Sequence, residues 1–318
     1  MILLISSKYD VSTNNVIKWL NYYGINFLRL NTEDFNSLNH FSLSNTSSKL
    51  KVNNVDLDSI TSVWHRRGRL RHVPNSLNGL GKVTDYLKKE EDSLVKSIET
   101  YLKNTRKYIG SYTSEVENYK LEHLMMAREC NLNIPNSMIT TNKKELIDFY
   151  NTHDQIISKD LRYSINIKTE KICINSIGTF KVTNDLIKGL EDQFAPIYVQ
   201  EYIEKEFEIR VFYFENKMFA MGIFSQQDEQ TQVDYRNYNN QVPNRCVPIS
   251  LPTDIEKKLL EFTKKVKLNT GSIDLIYSTD ERYVFLEVNP MGQFDWVSKN
   301  CNYYIEKSIA KEFLEVCN

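Results

Sequence analysis

GSIDLIYSTDERYVFLEVNPMG, residues 271–292, is the stretch whose reading decides the fold. Two β-rich runs flank a polar centre, the pattern of a hairpin. If Asp280 and Glu281 form a two-residue turn, Asp274 lies opposite Glu287, while Ile273, Leu275 and Tyr277 face Val288, Leu286 and Val284. The apolar face fixes this register, because a slip of one residue would turn it to solvent. The other face carries Asp274 and Glu287, with Asn289 two residues on and therefore beside Glu287. Directly opposed carboxylates repel, and that cost needs a reason. Two carboxylates and an amide oxygen form part of the oxygen-only shell that magnesium takes when phosphates and water complete it. The plain alternative is a solvated hairpin face with incidental charge. The segments upstream weigh against it.

QEYIEKEFEIRVFYF, residues 200–214, puts Glu208 and Arg210 on one strand face and Phe207, Ile209 and Val211 on the other. A carboxylate there can accept ribose hydroxyls, and a guanidinium can grip phosphate oxygens with its planar fork. Lys159 follows the apolar pair Ile156 and Ile157, and an ammonium at the end of a buried strand calls for an anionic partner. Lys120 opens a helix in ENYKLEHL. Taken singly, each of these also fits a surface ion pair or an exposed helical lysine.

Around these segments the chain reads as three lobes. ILLIS at 2–6, an amphipathic run ending at Gly24 and INFLRLN give strand, helix, strand, which predicts a small α/β lobe over 1–110. That lobe also holds ITSVWHRRGRL and the charged helix TDYLKKEEDSLVKSIETYLKN. A second lobe spans 111–195, with a helix, an extended exit at Pro135 and a further helix in KKELIDFYN. Residues 196–318 are rich in strands.

Lys plus Arg is 40 against 41 Asp plus Glu, so no overall field gathers nucleic acid or an anionic membrane, and any anion site must be local. No run approaches a spanning helix, and MILLISS is too short and too weakly basic for a signal segment, which predicts a cytoplasmic protein. The five cysteines are scattered without CxxC spacing and read as ordinary thiols.

Lys120 before a helix and an IP turn, Lys159 ending a strand, QEYI followed by EIR, then Asp274 and ExNP resemble the ATP-grasp family in order and spacing. The likeness covers about 111–300, and the first lobe resembles the family's usual pre-ATP-grasp domain. It implies an α+β, ATP-grasp fold that uses ATP and magnesium. Lys120 and Lys159 would bind the phosphates, Glu201, Tyr202 and Ile203 would form the adenine hinge, and Glu208 would hold the ribose. Arg210 would stabilise the transferring phosphoryl group, and Asp274, Glu287 and Asn289 would hold the metal. One departure stands out: LRYSINIKTE after Lys159 lacks the glycine-rich phosphate loop of many members.

VWHRRGR, IFSQ, VDYRNYNNQVPNRCVPISLP and EVNPMGQFDW narrow the likeness to the ATP-grasp peptide maturases that make graspetides, the microviridin-like peptides, and particularly the grasp-with-spasm type. That implies an ADP-forming ligase that phosphorylates Asp or Glu side chains of a ribosomal precursor peptide and closes ω-ester or ω-amide rings with Ser, Thr or Lys. Acidic side chains call for cations beyond those that hold ATP. Arg66, Arg67, Arg69 and Arg236 are candidates, with Asp234 sharing a face with Arg236. A solvated basic turn and a surface pair are the bland reading of the same residues. Two rivals stand beside this function: a ligase adding amino acids to a peptide terminus, and a catalytically idle peptide-binding module. The likeness leaves oligomeric state open and allows a homodimer.

Overall fold

The structure, a computed structural model, describes residues 1–74, 81–162, 166–169, 173–175, 178–237, 239 and 241–317. A parallel sheet opens the chain, its strands ordered Phe27–Asn31, Ile2–Ser6, Ser62–His65 and Lys107–Ile109. Ile2–Ser6 is buried throughout, as befits a parallel strand covered on both faces. Ile2 and Leu4 pack towards the helix Val11–Tyr22 and the last helix, Ile305–Cys317, while Leu3 and Ile5 pack towards the helix Lys82–Thr105 and a three-stranded antiparallel sheet. Asp10 caps the first helix by accepting from the Thr13 N–H, and Gly24 follows its C-terminus at φ +67°.

The central lobe orders Phe180–Lys181, Ile156–Ser158, Gln193–Glu201 and Ser137–Asn142 in one antiparallel sheet. The helices Lys143–Thr152 and Asn184–Lys188 close a small core around Leu146, Ile156, Ile187 and Val199. The third sheet runs Arg245–Pro248, Lys217–Phe224, Lys205–Phe214, Thr270–Ser278 and Tyr283–Asn289, all antiparallel. One face of it, with Ile209, Val211, Ile273 and Phe285, buries against the helices Lys120–Glu129 and Thr253–Lys265. On the other face Phe212 and Phe214 join the core of the first lobe. Further along that same face stand Glu208 and Arg210, so alternation divides this strand between a packed end and a polar end.

The hairpin keeps the expected pairing of Asp274 with Glu287 and of Ile273 with Val288, but not the rest. Leu275 faces Phe285 and Tyr277 faces Tyr283, because a bulge leaves Leu286 without a partner. The connection is the four residues 279–282 rather than a two-residue turn. The Ser278 N–H donates to the Arg282 carbonyl at 3.0 Å, and Glu281 takes φ +62°. Leu286 therefore leaves the apolar face and lines the cleft beside Glu287.

Candidate functional site

The polar ends of the third sheet and the central sheet enclose a cleft, with Lys159, Tyr202, Lys205, Glu208, Asp234, Arg236, Asp274 and Glu287 along its walls. Arg210 and Asp274 stand opposite each other on neighbouring strands and are both buried. Arg210 Nη1 donates to both Asp274 oxygens at 2.7 Å, so a single nitrogen holds the carboxylate and the fork is not used. Burial raises the Asp274 pKa and Arg210 only partly opposes it, while the nearby Glu287 adds to the rise.

Glu287 meets cations instead. Lys120 Nζ lies 3.5 Å from its Oε2 and Arg236 Nη1 lies 3.5 Å from its Oε1. Burial pushes this carboxyl up, but Lys159, Lys120 and Arg236 outweigh it and the net direction is down. Lys120 opens its helix as expected and also donates to the Asp160 carbonyl at 3.0 Å. Lys159 directly follows the strand Ile156–Ser158, with Nζ 5.6 Å from the centre of the Tyr198 ring. Burial lowers the Lys159 pKa to about 8; Glu287 opposes the drop, and Lys120 and Arg236 reinforce it.

Asn289 lies across from Ser272, and its Oδ1 accepts the Met291 N–H at 3.0 Å. The chain then turns back so closely that a Cβ on Gly292 would fall 2.2 Å from the Ser272 side chain. Glycine in NPMG is thus what lets the loop fold against the strand. Arg236 binds Asp234 through Nε and Nη2, each at 2.8 Å, which raises the guanidinium pKa and offsets the burial of Asp234.

A scan of family models matches residues 118–313 to the RimK-like ATP-grasp domain, well over half of the chain. The chain belongs to the RimK-like ATP-grasp family. A search of curated proteins finds no match. Among solved structures, a Chryseobacterium gregarium RiPP-associated ATP-grasp ligase, in complex with ADP and a leader and core peptide, has TM-score 0.85 at 24% identity, over 99% of this chain and 96% of that one. The macrocyclase MdnC from Microcystis aeruginosa MRC, bound with precursor peptide MdnA, has TM-score 0.78 at 26% identity, over 99% of both chains. The ATP-grasp ligase PsnB, complexed with minimal precursor, Mg and ADP, has TM-score 0.79 at 17% identity, over 100% of this chain and 97% of that one.

For an ATP-grasp chain the donor set suits magnesium: carboxylates from two strands with an amide oxygen beside them, all hard oxygens. The contacts of Glu287 with Lys120 and Arg236 are 3.5 Å long, loose enough for the carboxylate to turn to a metal. The segment Glu201–Ile203, from the last residue of its strand onward, lines the cleft between the two sheets. Its Tyr202 N–H is already given to the Gln155 carbonyl at 2.9 Å, and the Glu201 carboxylate accepts from Asn136 Nδ2 at 2.7 Å. Glu208 accepts from Lys205 Nζ and from Ser225 Oγ, each at 2.5 Å, and burial raises its pKa even so.

The arginines of VWHRRGR separate. Arg66 is buried, donates to the Met291 carbonyl at 3.0 Å and lies 3.5 Å from Asp10; burial lowers its pKa to about 10. It ties the first lobe to the loop after Asn289. Arg69 is bound to Glu91 and Asp92 of the long helix, partners that it would have to share to meet an acidic side chain. Arg67 is half-buried. Sequence reading missed Lys205, whose partner three residues on would sit on the opposite face of a regular strand. It also missed Leu286. The stretch after Lys159 that departs from the family's glycine-rich loop lies partly outside the described residues.

Proposed function

We propose that this chain is an ADP-forming ATP-grasp macrocyclase acting on a ribosomal precursor peptide with an acidic and Thr-rich core. It would phosphorylate Asp or Glu side chains and join them to Ser, Thr or Lys of the same peptide as ω-esters or ω-amides. The observation that carries the reading is the ring of cations, Lys120, Lys159, Arg210 and Arg236, around two opposed carboxylates in one cleft. That arrangement suits the gathering of phosphate and carboxylate charge, and a binding platform has no use for it. The full-length likeness to ligases solved with precursor peptides supports the substrate class.

On this reading Lys120 and Lys159 hold phosphate oxygens, Glu201–Ile203 flank the base, and Glu208 takes the ribose. Magnesium held by Asp274, Glu287 and Asn289 would neutralise phosphate charge. Arg210 steadies Asp274 and presents its remaining nitrogens towards the transferring phosphoryl group. Arg236 and Arg67 draw the acidic side chain in. The phosphoryl group leaves ADP for a carboxylate oxygen; the peptide's own hydroxyl or amine then attacks the carbonyl carbon, phosphate departs, and the nucleophile's proton passes to solvent. Residues 1–110, 111–195 and 196–318 serve as pre-ATP-grasp, central and metal-bearing lobes. Among the described residues no helix is long and apolar enough to cross a membrane, and we place the enzyme in the cytoplasm.

Mass spectrometry tests the reaction. With magnesium, ATP and the short acidic peptide encoded beside the gene, each ring removes the mass of one water and needs no added amino acid. A gain equal to an amino acid residue would instead identify a terminal ligase, and an unchanged peptide a binding module.

A further inference from the structure

Lys205 is a buried ammonium inside the nucleotide cleft. A regular strand would set Lys205 and Glu208 on opposite faces, but the pairing of Lys205–Phe214 with Thr270–Ser278 shifts between Lys205 and Phe207. Glu206 is the extra residue, and the bulge returns Lys205 to the face of Glu208. There Lys205 Nζ donates to Glu208 Oε1 at 2.5 Å and to the Val233 carbonyl at 3.2 Å. Val233 immediately precedes Asp234, the residue that binds Arg236, and Arg236 reaches Glu287. The other Glu208 oxygen accepts from Ser225, whose carbonyl accepts from Thr231 Oγ1 at 2.9 Å. Both oxygens of one carboxylate therefore anchor the two ends of the segment 225–236.

We infer that Lys205 is a positioning residue that couples ribose binding at Glu208 to the placement of the segment carrying Arg236. The inference rests on the nucleotide reading of the cleft. A ribose hydroxyl that bonds to Glu208 competes with or reinforces the Lys205 and Ser225 bonds. Because an ammonium has three hydrogens and two are used, Lys205 can bond to the ribose without releasing Val233. Nucleotide occupancy would then order the acidic side chain's receptor before chemistry begins.

The test is amide hydrogen exchange on the full chain with magnesium and saturating ADP or 2′,3′-dideoxy-ADP. ADP should slow exchange across 225–236 by about tenfold, within the range of coupling between directly bonded groups, and the dideoxy nucleotide should not. At ADP concentrations that saturate the variant, Lys205→Met should lose this protection, and Lys205→Arg should recover part of it. Equal protection by both nucleotides, or full protection in folded Lys205→Met, would overturn the inference. If Lys205→Met does not fold, the two nucleotides on the wild-type chain decide alone. Failure of ADP to bind the wild-type chain at all would sink the nucleotide reading itself, a result distinct from ADP binding without protection.

Discussion

Glu287→Gln separates the metal reading from a purely structural one. The hairpin alone suggests that removing one of two opposed carboxylates relieves repulsion and stabilises the protein, by roughly 0.2–1 kcal/mol for a cross-strand like-charge pair. The surroundings of Glu287 reverse that sign. Lys120 and Arg236 each lie 3.5 Å away, a separation worth roughly 5 kcal/mol of attraction per pair at an effective dielectric constant of about 20. Desolvation takes back most of this, and Arg236, its side chain 52% exposed, is further screened by solvent. A net loss of about 1–3 kcal/mol remains, larger than the relief.

The variant should therefore melt lower than wild type in metal-free buffer, by roughly 2–6 °C for a chain of this size. It should also bind ATP more tightly in EDTA, because uncompensated cations now face the phosphates. With magnesium, turnover should fall by about a hundredfold or more, as when a group that neutralises transition-state charge is lost. Differential scanning fluorimetry, titration calorimetry and ADP release give the three readings. A raised melting point, or wild-type turnover at saturating magnesium and ATP, would refute the reasoning.

Arg210→Met leaves Asp274 buried without its partner, so stability should drop by about 3–5 kcal/mol and turnover at least about tenfold; urea unfolding with unaltered stability would show the pair to be incidental. Lys159 titrates near 8 in the free protein, below an unfolded lysine, so folding disfavours its proton. That cost is fully present below about pH 8 and is relieved as pH rises towards about 10, while nucleotide affinity in EDTA should fall over the same range. Proton uptake on ADP binding at pH 8, seen as a buffer-dependent binding heat and lost in Lys159→Met, checks it. Arg69→Met should lower the melting point and spare the peptide KM, whereas Arg67→Met should raise that KM; the opposite ranking would return Arg69 to the substrate site.

Much of the site was legible because it lies on strands with strict alternation. Period two alone placed Glu208 with Arg210, since their apolar neighbours had to enter one core. Asp274 opposite Glu287 followed from an assumed two-residue turn; the connection is 279–282 instead, and the bulge at Leu286 restores the same pairing. The arginines were less legible, because a cation's partner depends on what packs over it. Arg69 meets the helix Lys82–Thr105, and Arg66 reaches a carbonyl of the third lobe, 225 residues away in the chain. No local pattern encodes either contact. Asp160, whose carbonyl holds Lys120, was invisible for a related reason: any residue offers the same backbone oxygen.

The two places where periodicity failed have one cause. Leu286 and Glu206 are each the extra residue of a β-bulge, and the bulged strands flank the same partner, Thr270–Ser278. Each strand must bury an apolar face over most of its length and still turn particular side chains into the cleft near one end. Strict alternation ties those demands together, because moving one side chain across the sheet moves all of them. An inserted residue cuts the tie at a single point. On one strand it frees Leu286 to line the cleft while Phe285 stays in the core, and on the other it brings Lys205 to Glu208 while Phe207 keeps its place. A break in the local rule next to the cleft carboxylates is thus where a functional contact should be sought, and Lys205 is the residue that the break exposes.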